Sequence, residues 1–314
     1  MIQNKKNGVT HVQVEAGQAG RRLDNFLLGS LRGVPKSRIY QMIRKGEVRV
    51  NGGRSRPEYR LCAGDRLRIP PVSVAAAPPP AALPERRVEE LRDKILYEDS
   101  NLIVVNKPSG LVVHSGSGRS FGVIDLLRRG VPDGASLQLV HRLDRDTSGC
   151  LLISKNAGYL RYLHDALRGG RIRKQYLTLQ YGILPAGTVT VDRPLQRNLV
   201  RGGERVADVV ETGRQAVTRF TPVRQYRDST LCNVATDTGR THQIRVHAKY
   251  LGHPVAGDEK YGSKDFNAEL RRHGLRRLFL HAARIVVPGA DGNREISVEA
   301  PLPAALSDFL ASWR

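Results

Sequence analysis

The chain has few of the features that would place it outside the cell or in a membrane. Its three cysteines, Cys62, Cys150 and Cys232, are far apart and form no CxxC pair, so neither a disulfide framework nor a zinc ribbon is indicated. We expect each to be a small buried residue. No apolar run is long enough to cross a bilayer, and Met1 to Lys6 lack the apolar segment of a signal peptide. These absences predict a cytoplasmic protein with no membrane partner.

Several common catalytic motifs are also missing. The sequence contains no GxxxxGK[ST] phosphate loop and no GxSxG nucleophile motif. The glycine-rich run 116–122 has one residue too many for the dinucleotide fingerprint, and no acidic residue follows at the expected place, so we interpret it as a flexible loop. His242 and His247 have no glutamate between them, which excludes the zinc pair of an HExxH helix.

A large excess of positive charge is the first informative feature that is present. The 314 residues include 51 Lys and Arg against 30 Asp and Glu, a formal net charge of +21. Such an excess favours a polyanionic partner, most often nucleic acid, although charge alone would also serve solubility. The length suggests about two domains and is ample for a hydrophobic core.

Residues 21–70 are predicted to form a compact basic unit. They contain 13 Arg and Lys against 4 Asp and Glu, so a sixth of the chain carries nearly half of the charge excess. Leu23, Phe26, Leu27 and Leu31 have helical spacing. A second helix should be capped by Ser37, bury Ile39, Met42 and Ile43, and end at Gly46. A strand over 47–52 then enters an Asn-Gly turn, and 65–69 returns as its partner.

This unit resembles the S4 RNA-binding module. The resemblance is carried by Arg22-Leu23-Asp24, by Val34-Pro35-Lys36-Ser37 and by the run Arg44 to Gly52. In that module, the second helix and the following turn present basic side chains to folded RNA. The resemblance therefore implies RNA contacts by Lys36, Arg38, Arg44, Lys45 and Arg49; a small helical domain with a solvated basic face is the alternative.

The rest of the chain divides into a linker and a larger domain. We assign 1–70 to the S4-like domain, 71–89 to a Pro- and Ala-rich semi-extended linker, and 90–314 to a second domain. In the second domain, short strands predominate over helices that are not regularly interleaved, which predicts an α+β fold with a mixed or antiparallel sheet. Strands are expected at 102–105, 151–153, 174–180, 214–220 and 280–287, and helices at 159–167 and 241–251.

A charged turn at 141–149 is the most unusual segment. His141-Arg142-Leu143-Asp144-Arg145-Asp146 lies between the apolar runs 137–140 and 150–153, which both favour burial. Such flanks direct the turn towards a cleft, where a carboxylate between arginines would stay ionised. Downstream, Arg240, His242 and Arg245 lie near the start of a predicted helix, a position suited to a carboxylate or a phosphate; basic caps on a basic protein are the plainer interpretation.

Taken together, the motifs resemble those of the bacterial pseudouridine synthases that modify large-subunit ribosomal RNA. They occur in the family's order and cover most of residues 90–300. The matching runs are Val105 to Gly110, His141 to Gly149, Lys174-Gln175-Tyr176, Thr238 to His247, Gly257 to Gly262 and Leu280-His281-Ala282.

The resemblance implies a catalytic role for three residues. Asp144 matches the essential aspartate, which acts either as a nucleophile on the ribose or as a base that leads to a glycal. Arg245 matches the arginine that pairs with it, and Tyr176 matches the tyrosine beside the target base. Arg142 matches the residue that fills the space left by the flipped nucleotide, and we place further RNA contacts on His141, Arg240 and His242. Asp146 is expected to bond backbone amides and is the second candidate for the catalytic acid.

The implied fold is the α+β pseudouridine synthase fold, with a mixed, largely antiparallel sheet and a central cleft. The implied reaction is an isomerisation that requires no cofactor and no metal. The implied partner is large-subunit ribosomal RNA or the assembling large subunit, bound by a monomer. Two alternatives remain at this point: a non-catalytic RNA-binding or ribosome-assembly factor, and a methyltransferase, for which no glycine-rich cofactor loop is found.

Overall fold

The architecture described below is that of a computed structural model. It describes residues 8–31, 33–72, 83–115, 121–201, 204–290 and 294–313. The chain divides into two compact units, residues 1–81 and 82–314. Within the described residues, no helix is long and apolar enough to span a bilayer. The predicted glycine-rich loop falls mainly on 116–120, and much of the predicted linker falls on 73–82; both stretches lie outside the described residues.

The first unit packs two helices on a small antiparallel sheet with strand order β1-β3-β2. Its core is formed by side chains of both helices and of β3, among them Phe26, Met42 and Leu67. The elements are β1 (Thr10–Gln13), α1 (Leu23–Ser30), α2 (Lys36–Lys45), β2 (Arg49–Val50) and β3 (Arg66–Ile69).

Three expectations for this unit are corrected. Ser37 does not cap α2, because the helix begins at Lys36 and the Pro35 carbonyl accepts the N–H groups of Arg38 and Ile39. The strand predicted over 47–52 is confined to Arg49–Val50, since Asn51 has a φ of 50° and already belongs to the turn. Cys62 is exposed, in a turn where the Asp65 carboxylate accepts its N–H.

The second unit is built on one mixed sheet of ten strands. The main path runs β4-β5-β7-β14-β8-β13-β12-β9, with β6 on β7 and β15 on β14. The strands are β4 (Ile95–Glu98), β5 (Leu102–Lys107), β6 (Gln138–Leu139), β7 (Ser148–Ser154), β8 (Arg173–Tyr181), β9 (Val189–Asp192), β12 (Val217–Tyr226), β13 (Ser229–Thr236), β14 (Leu280–Pro288) and β15 (Glu295–Glu299), together with a separate hairpin, β10 (Leu195–Arg201) and β11 (Glu204–Val209). The helices are α3 (Glu85–Arg92), α4 (Val123–Gly130), α5 (Ala157–Arg168), α6 (Gln243–Tyr250), α7 (Lys264–Arg272) and α8 (Ala304–Ser312).

Strands β5 and β7 are buried on both faces, which explains their unbroken apolar runs. Along β5, Ile103 and Val105 pack with α3 and α4 in one core, whereas Leu102 and Val104 pack with α5 in another. Helix α3 begins inside the stretch assigned to the linker, and its Val88 and Leu91 are buried in the first of these cores. The α+β class and the mixed sheet are confirmed.

Two predicted element boundaries differ from the observed ones. The strand predicted from Arg214 begins at Val217 and continues to Tyr226, because Arg214 pairs instead with Leu195 at the base of the hairpin. The helix predicted from Thr241 begins at Gln243, since His242 has a left-handed backbone with φ 55° and cannot be its first helical residue.

The parallel contact between β7 and β14 is short and close. It consists of the pairs Ser148–His281 and Ala282–Gly149, whereas the other pairings between described strands are antiparallel. Gly149 has a φ of 107°, and a Cβ there would lie 2.2 Å from the Ala282 carbonyl oxygen. A glycine is therefore required where the charged turn enters β7.

Candidate active site

The charged turn before β7 is bonded through its backbone to a buried lysine. The Lys107 side chain is fully buried, and its Nζ donates 2.8 Å hydrogen bonds to the carbonyls of Pro108, Leu111 and Arg145. Burial lowers the pKa of Lys107 to about 7, and the three carbonyls provide acceptors for all three ammonium hydrogens. The Gly110 N–H also donates to Arg145. The segment after β5 thus fixes the backbone that carries Asp144.

The carboxylate of Asp144 faces the start of α6. Its Oδ2 accepts a 3.1 Å hydrogen bond from Nη1 of Arg245, and its side chain is 20% exposed. The two residues are 101 positions apart in the chain. The predicted contact is therefore present, and since no described residue bonds the other oxygen of Asp144, that oxygen is available to a ligand.

Arg245 is held by a second, fully buried carboxylate. Asp258 accepts hydrogen bonds from Nε at 2.7 Å and Nη2 at 2.8 Å, and its own side chain is 0% exposed. Burial opposes charge on both groups, but their mutual contacts prevail: the pKa of Arg245 is raised and that of Asp258 is lowered. The backbone amides of Lys260 and Tyr261 also donate to Asp258. This bidentate contact fixes which nitrogen of Arg245 reaches Asp144.

His242 lies beside the same carboxylate. Its Nε2 is 3.9 Å from Oδ2 of Asp144, and its Nδ1 is 2.7 Å from the hydroxyl of Tyr261, which accepts the Ala207 N–H. Burial lowers the pKa of His242, although the Asp144 charge acts in the opposite direction. A neutral ring that accepts the tyrosine proton at Nδ1 carries its own proton on Nε2, the nitrogen that faces Asp144.

Tyr176 and Asp144 line one cavity of about 480 Å³. Tyr176 is half-buried on β8, where it pairs with Val234. Burial, followed by the negative charge of Asp144, raises the pKa of the Tyr176 phenol above its usual range. The phenol is therefore protonated at neutral pH. A planar ring, a carboxylate and a cavity of this size suit a single flipped nucleobase.

The structure separates the other residues predicted to bind RNA at this cleft. Arg142 and Arg240 are exposed and line the cavity, as does His242. His141 also lines it, but its Nε2 accepts the N–H of Leu152 in β7, and burial lowers its pKa to about 4. His141 is thus a neutral side chain bonded to the sheet.

Asp146 differs from Asp144 in its partner. It accepts two hydrogen bonds from Arg145, at 2.8 and 3.0 Å, in an exposed pair. The predicted bonds to backbone amides are replaced by this contact. Asp146 lies outside the cavity that contains Tyr176.

The basic residues of the first unit have unequal environments. Arg44 and Lys45 are exposed at the end of α2. The Lys36 ammonium lies 5.6 Å from the Tyr40 ring centre, and Arg49 donates to the Gly52 carbonyl. Arg38 forms a two-point ion pair with Glu47, with its closest contact at 2.7 Å.

Comparison with known proteins identifies the family. Residues 101–250 match the family model described as RNA pseudouridylate synthase, and residues 21–67 match the S4 domain. The chain is 49% identical over 306 residues to ribosomal large subunit pseudouridine synthase C of Salmonella typhimurium, and 47% identical to the protein of that name from Escherichia coli K12. Each match covers 96% of both chains. The chain belongs to the RNA pseudouridylate synthase family.

Solved structures agree with this membership. The chain is similar to human RNA pseudouridylate synthase domain containing 1, with a TM-score of 0.60, 26% identity, and coverage of 72% of this chain and 89% of that one. It has the same fold as human RNA pseudouridylate synthase domain containing 4, with a TM-score of 0.59 and 24% identity over 72% of this chain and 95% of that one. As a member of the RNA pseudouridylate synthase family, the protein is an enzyme that isomerises uridine in RNA, and the S4 domain expectation is confirmed.

Sequence reasoning missed three members of this candidate site. They are Asp258, Tyr261 and Lys107, which support Arg245, His242 and the Asp144 turn. All three fall in the runs Gly257 to Gly262 and Val105 to Gly110 that carry the family resemblance. The signal was therefore in the sequence, but it did not say what the residues contact. Among the described residues, no group of three or more His, Cys, Asp or Glu side chains is arranged to bind a metal.

Proposed function

We propose that this enzyme converts uridine to pseudouridine in large-subunit ribosomal RNA, with Asp144 as the catalytic group. One observation carries the assignment of Asp144: it is the carboxylate that shares a cavity with Tyr176 and is bonded to a buried arginine. The relatives named ribosomal large subunit pseudouridine synthase C support the choice of RNA.

The chemistry requires a carboxylate at the ribose. The uracil must leave through N1 and return through C5. Asp144 serves either as a nucleophile that bonds C1′ or as a base that removes a ribose proton. Arg245 holds one oxygen of Asp144 by a hydrogen bond, so that the other can face the sugar.

Tyr176 acts on the base as a neutral phenol. Its raised pKa excludes a phenolate at neutral pH. Its ring provides a face for stacking on uracil. Its hydroxyl oxygen is the proposed acceptor of the proton that leaves C5. The hydroxyl oxygen accepts the C5 proton as its own proton passes to solvent, and N1 of the product takes a proton from solvent, so that the isomerisation balances and the C5 hydrogen is released to water.

RNA enters the cleft by flipping the target nucleotide, because C1′ and C5 are inaccessible in a stacked base. Exposed Arg142 is placed to fill the vacated stack, and Arg240 and His242 lie at the same cavity for backbone contacts. His141 lies at the same cavity, with its Nε2 bonded to the Leu152 N–H. Asp144, Tyr176 and Arg245 come together within one chain, which supports action as a monomer. The proposed substrate is ribosomal RNA, free or in the assembling subunit, in the cytoplasm.

The direct test is an assay of tritium release. Large-subunit RNA labelled with 5-tritiated uridine should lose tritium on incubation with the protein and no added cofactor, because C5 loses its hydrogen when it bonds to C1′. Mapping of the product should place pseudouridine at discrete positions. Inactive wild-type protein that still binds RNA would favour a non-catalytic assembly factor. Modification that depends on S-adenosylmethionine would favour a methyltransferase.

The S4 unit is proposed as an RNA tether, and its exposed cations allow a test. Replacing Arg44 and Lys45 together by glutamine should weaken RNA binding and reduce the slope of log K against log salt by about 1 to 2, because each lost phosphate contact removes roughly 0.7–0.9 from that slope. The measurement is a binding titration at several salt concentrations.

Arg38→Gln is the matched control for this variant. Glu47 already pairs with Arg38. The loss of Arg38 should therefore change the slope of log K against log salt less than the loss of an exposed cation. Equal slopes for the wild type and the double variant would refute an RNA contact at the end of α2.

A further inference from the structure

Asp144 lies between two cavities, and the mechanism above uses only one of them. The first cavity contains Tyr176. The second, of about 880 Å³, shares five lining residues with the first, among them Asp144, Arg142 and Arg245, and its other walls come from Arg145 and Asp146 and from residues within 109–114, 257–260 and 276–278. A flipped uracil beside Tyr176 leaves the second cavity to another part of the RNA strand.

The second cavity has an excess of positive charge. It is lined by six Arg and Lys side chains and four Asp and Glu side chains. Each of those carboxylates is already paired with an arginine: Asp144 and Asp258 with Arg245, Asp146 with Arg145, and Glu259 with Arg271. The lining therefore keeps a net positive charge, and its cations without a carboxylate contact among the described residues include Arg276 and Arg277, although the charge of Asp146 still acts on Arg277 from a distance.

Arg277 is the most constrained of these cations. It is half-buried, and within the described parts of the chain no carboxylate oxygen lies within 4 Å of its guanidinium nitrogens. Its Nη2 donates to Ser148 at 2.8 Å and to the Asp146 carbonyl at 3.5 Å, and its Nε donates to the Leu278 carbonyl at 3.3 Å, while the two hydrogens of Nη1 have no acceptor among the described residues. Burial lowers the pKa of Arg277. A partly buried charge with two unused donors favours an anionic ligand.

The guanidinium is also held in position before any ligand binds. Ser148 accepts from Arg277 and donates to Nδ1 of His281 at 2.9 Å, and Nε2 of His281 donates to the Ala300 carbonyl at 3.1 Å. This series of hydrogen bonds passes through the short parallel contact between β7 and β14. Such preorganisation lowers the entropy lost when a ligand is bound.

We propose that the second cavity binds a phosphodiester of the RNA strand next to the target uridine, with Arg277 as its main contact and exposed Arg276 as a further one. The planar fork of arginine matches two phosphate oxygens, and each nucleotide that flanks a flipped base brings one such group. The inference rests on the proposed function and extends it, because it fixes the path of the strand on the side of Asp144 opposite Tyr176.

The test combines protein and RNA changes. Each phosphate within a few nucleotides of the target uridine is replaced in turn by a neutral methylphosphonate, and Kd is measured with the full-length wild type and with Arg277→Gln. One position should weaken wild-type binding about tenfold, the scale of one charge-assisted hydrogen bond. Arg277→Gln should weaken binding of unmodified RNA by a similar factor, and the same methylphosphonate should then have no further effect.

Controls separate this contact from general effects. Arg272→Gln removes an exposed charge on α7 that lines neither cavity, and it should keep the wild-type pattern. If Arg277→Gln does not fold, Arg277→Lys can be used, because it keeps a donor for Ser148. At the one phosphate that affects the wild type, methylphosphonate should weaken RNA binding by Arg277→Lys less than it weakens binding by the wild type, and the other positions should show no such difference.

Two outcomes distinguish this proposal from the proposed function. If every methylphosphonate affects wild type and the Arg277 variant equally, Arg277 contacts no phosphate and the inference is wrong, even if the wild type releases tritium. If the wild type is inactive but one phosphate is coupled to Arg277, the binding site stands and the proposed reaction falls.

Discussion

Asp144→Asn should bind RNA with nearly the wild-type Kd and fail to turn it over. Asparagine has almost the same shape, and its side-chain oxygen can still accept from Nη1 of Arg245. It can neither bond C1′ as a carboxylate nor take a ribose proton. The loss in kcat should be on the order of 10⁴ or more, as expected when a group that acts on the reacting atoms is removed. Tritium release and RNA binding measured on the same preparation check this.

The second acid of the turn provides the comparison. Asp146→Asn breaks an exposed pair with Arg145, and exposed pairs contribute about 0–1 kcal/mol. Its kcat should therefore remain far above that of Asp144→Asn. Turnover that survives in Asp144→Asn and disappears in Asp146→Asn would transfer the catalytic role to Asp146.

The second large effect is expected at Asp258. Asp258→Asn replaces a fully buried carboxylate that bonds two nitrogens of Arg245, and its amide would direct N–H groups at a donor. Breaking a buried pair on one side costs about 3–5 kcal/mol, so the free energy of unfolding should fall by about that amount in urea titrations. At urea concentrations too low to unfold Asp258→Asn, its kcat should also be below that of the wild type, because Arg245 without its buried partner is free to leave Asp144.

The stability difference between the wild type and Asp258→Asn should also depend on pH. The pKa of Asp258 is lowered in the folded protein, so its contribution to stability is fully present above the unfolded-state value of about 3.9. It is lost as the pH falls towards the folded-state pKa. The stability difference between wild type and Asp258→Asn should therefore narrow below about pH 4.

Its neighbour supplies the matched control. Glu259 is exposed and pairs only with Arg271 among the described residues, so Glu259→Gln should change the free energy of unfolding by no more than about 1 kcal/mol. A similar loss in both variants would mean that the 257–262 loop, rather than the buried contact with Arg245, is sensitive to substitution.

The sequence predicted the parts of the fold that have a continuous apolar run or a regular apolar spacing. The apolar runs at 102–105 and 151–153 identified two central strands, and the spacing at 159–167 identified α5. What failed were boundaries set by single backbone angles. Nothing in the letters around His242 reveals a φ of 55°, and no periodicity shows that Pro35 rather than Ser37 precedes α2.

The site shows the same division. The family resemblance predicts roles for Asp144, Tyr176 and Arg245, and the structure brings these residues together across 101 positions of the chain. Asp258 was not predicted, because an aspartate in a loop is usually solvated, and its burial depends on a helix and a loop that meet only in the folded state. His141 illustrates the same limit: a histidine in a basic turn suggests an RNA contact, but the sequence does not reveal that its Nε2 accepts the Leu152 N–H of β7.

The short contact between β7 and β14 bears on the order of folding. In the sheet, β14 separates the strand that follows Asp144 from the strand that carries Tyr176, yet it is synthesised more than a hundred residues after β7. Pairings of such high sequence separation form slowly and late. During synthesis, a nascent chain can therefore complete its S4 unit and bind RNA through it well before the residues that would modify that RNA are assembled.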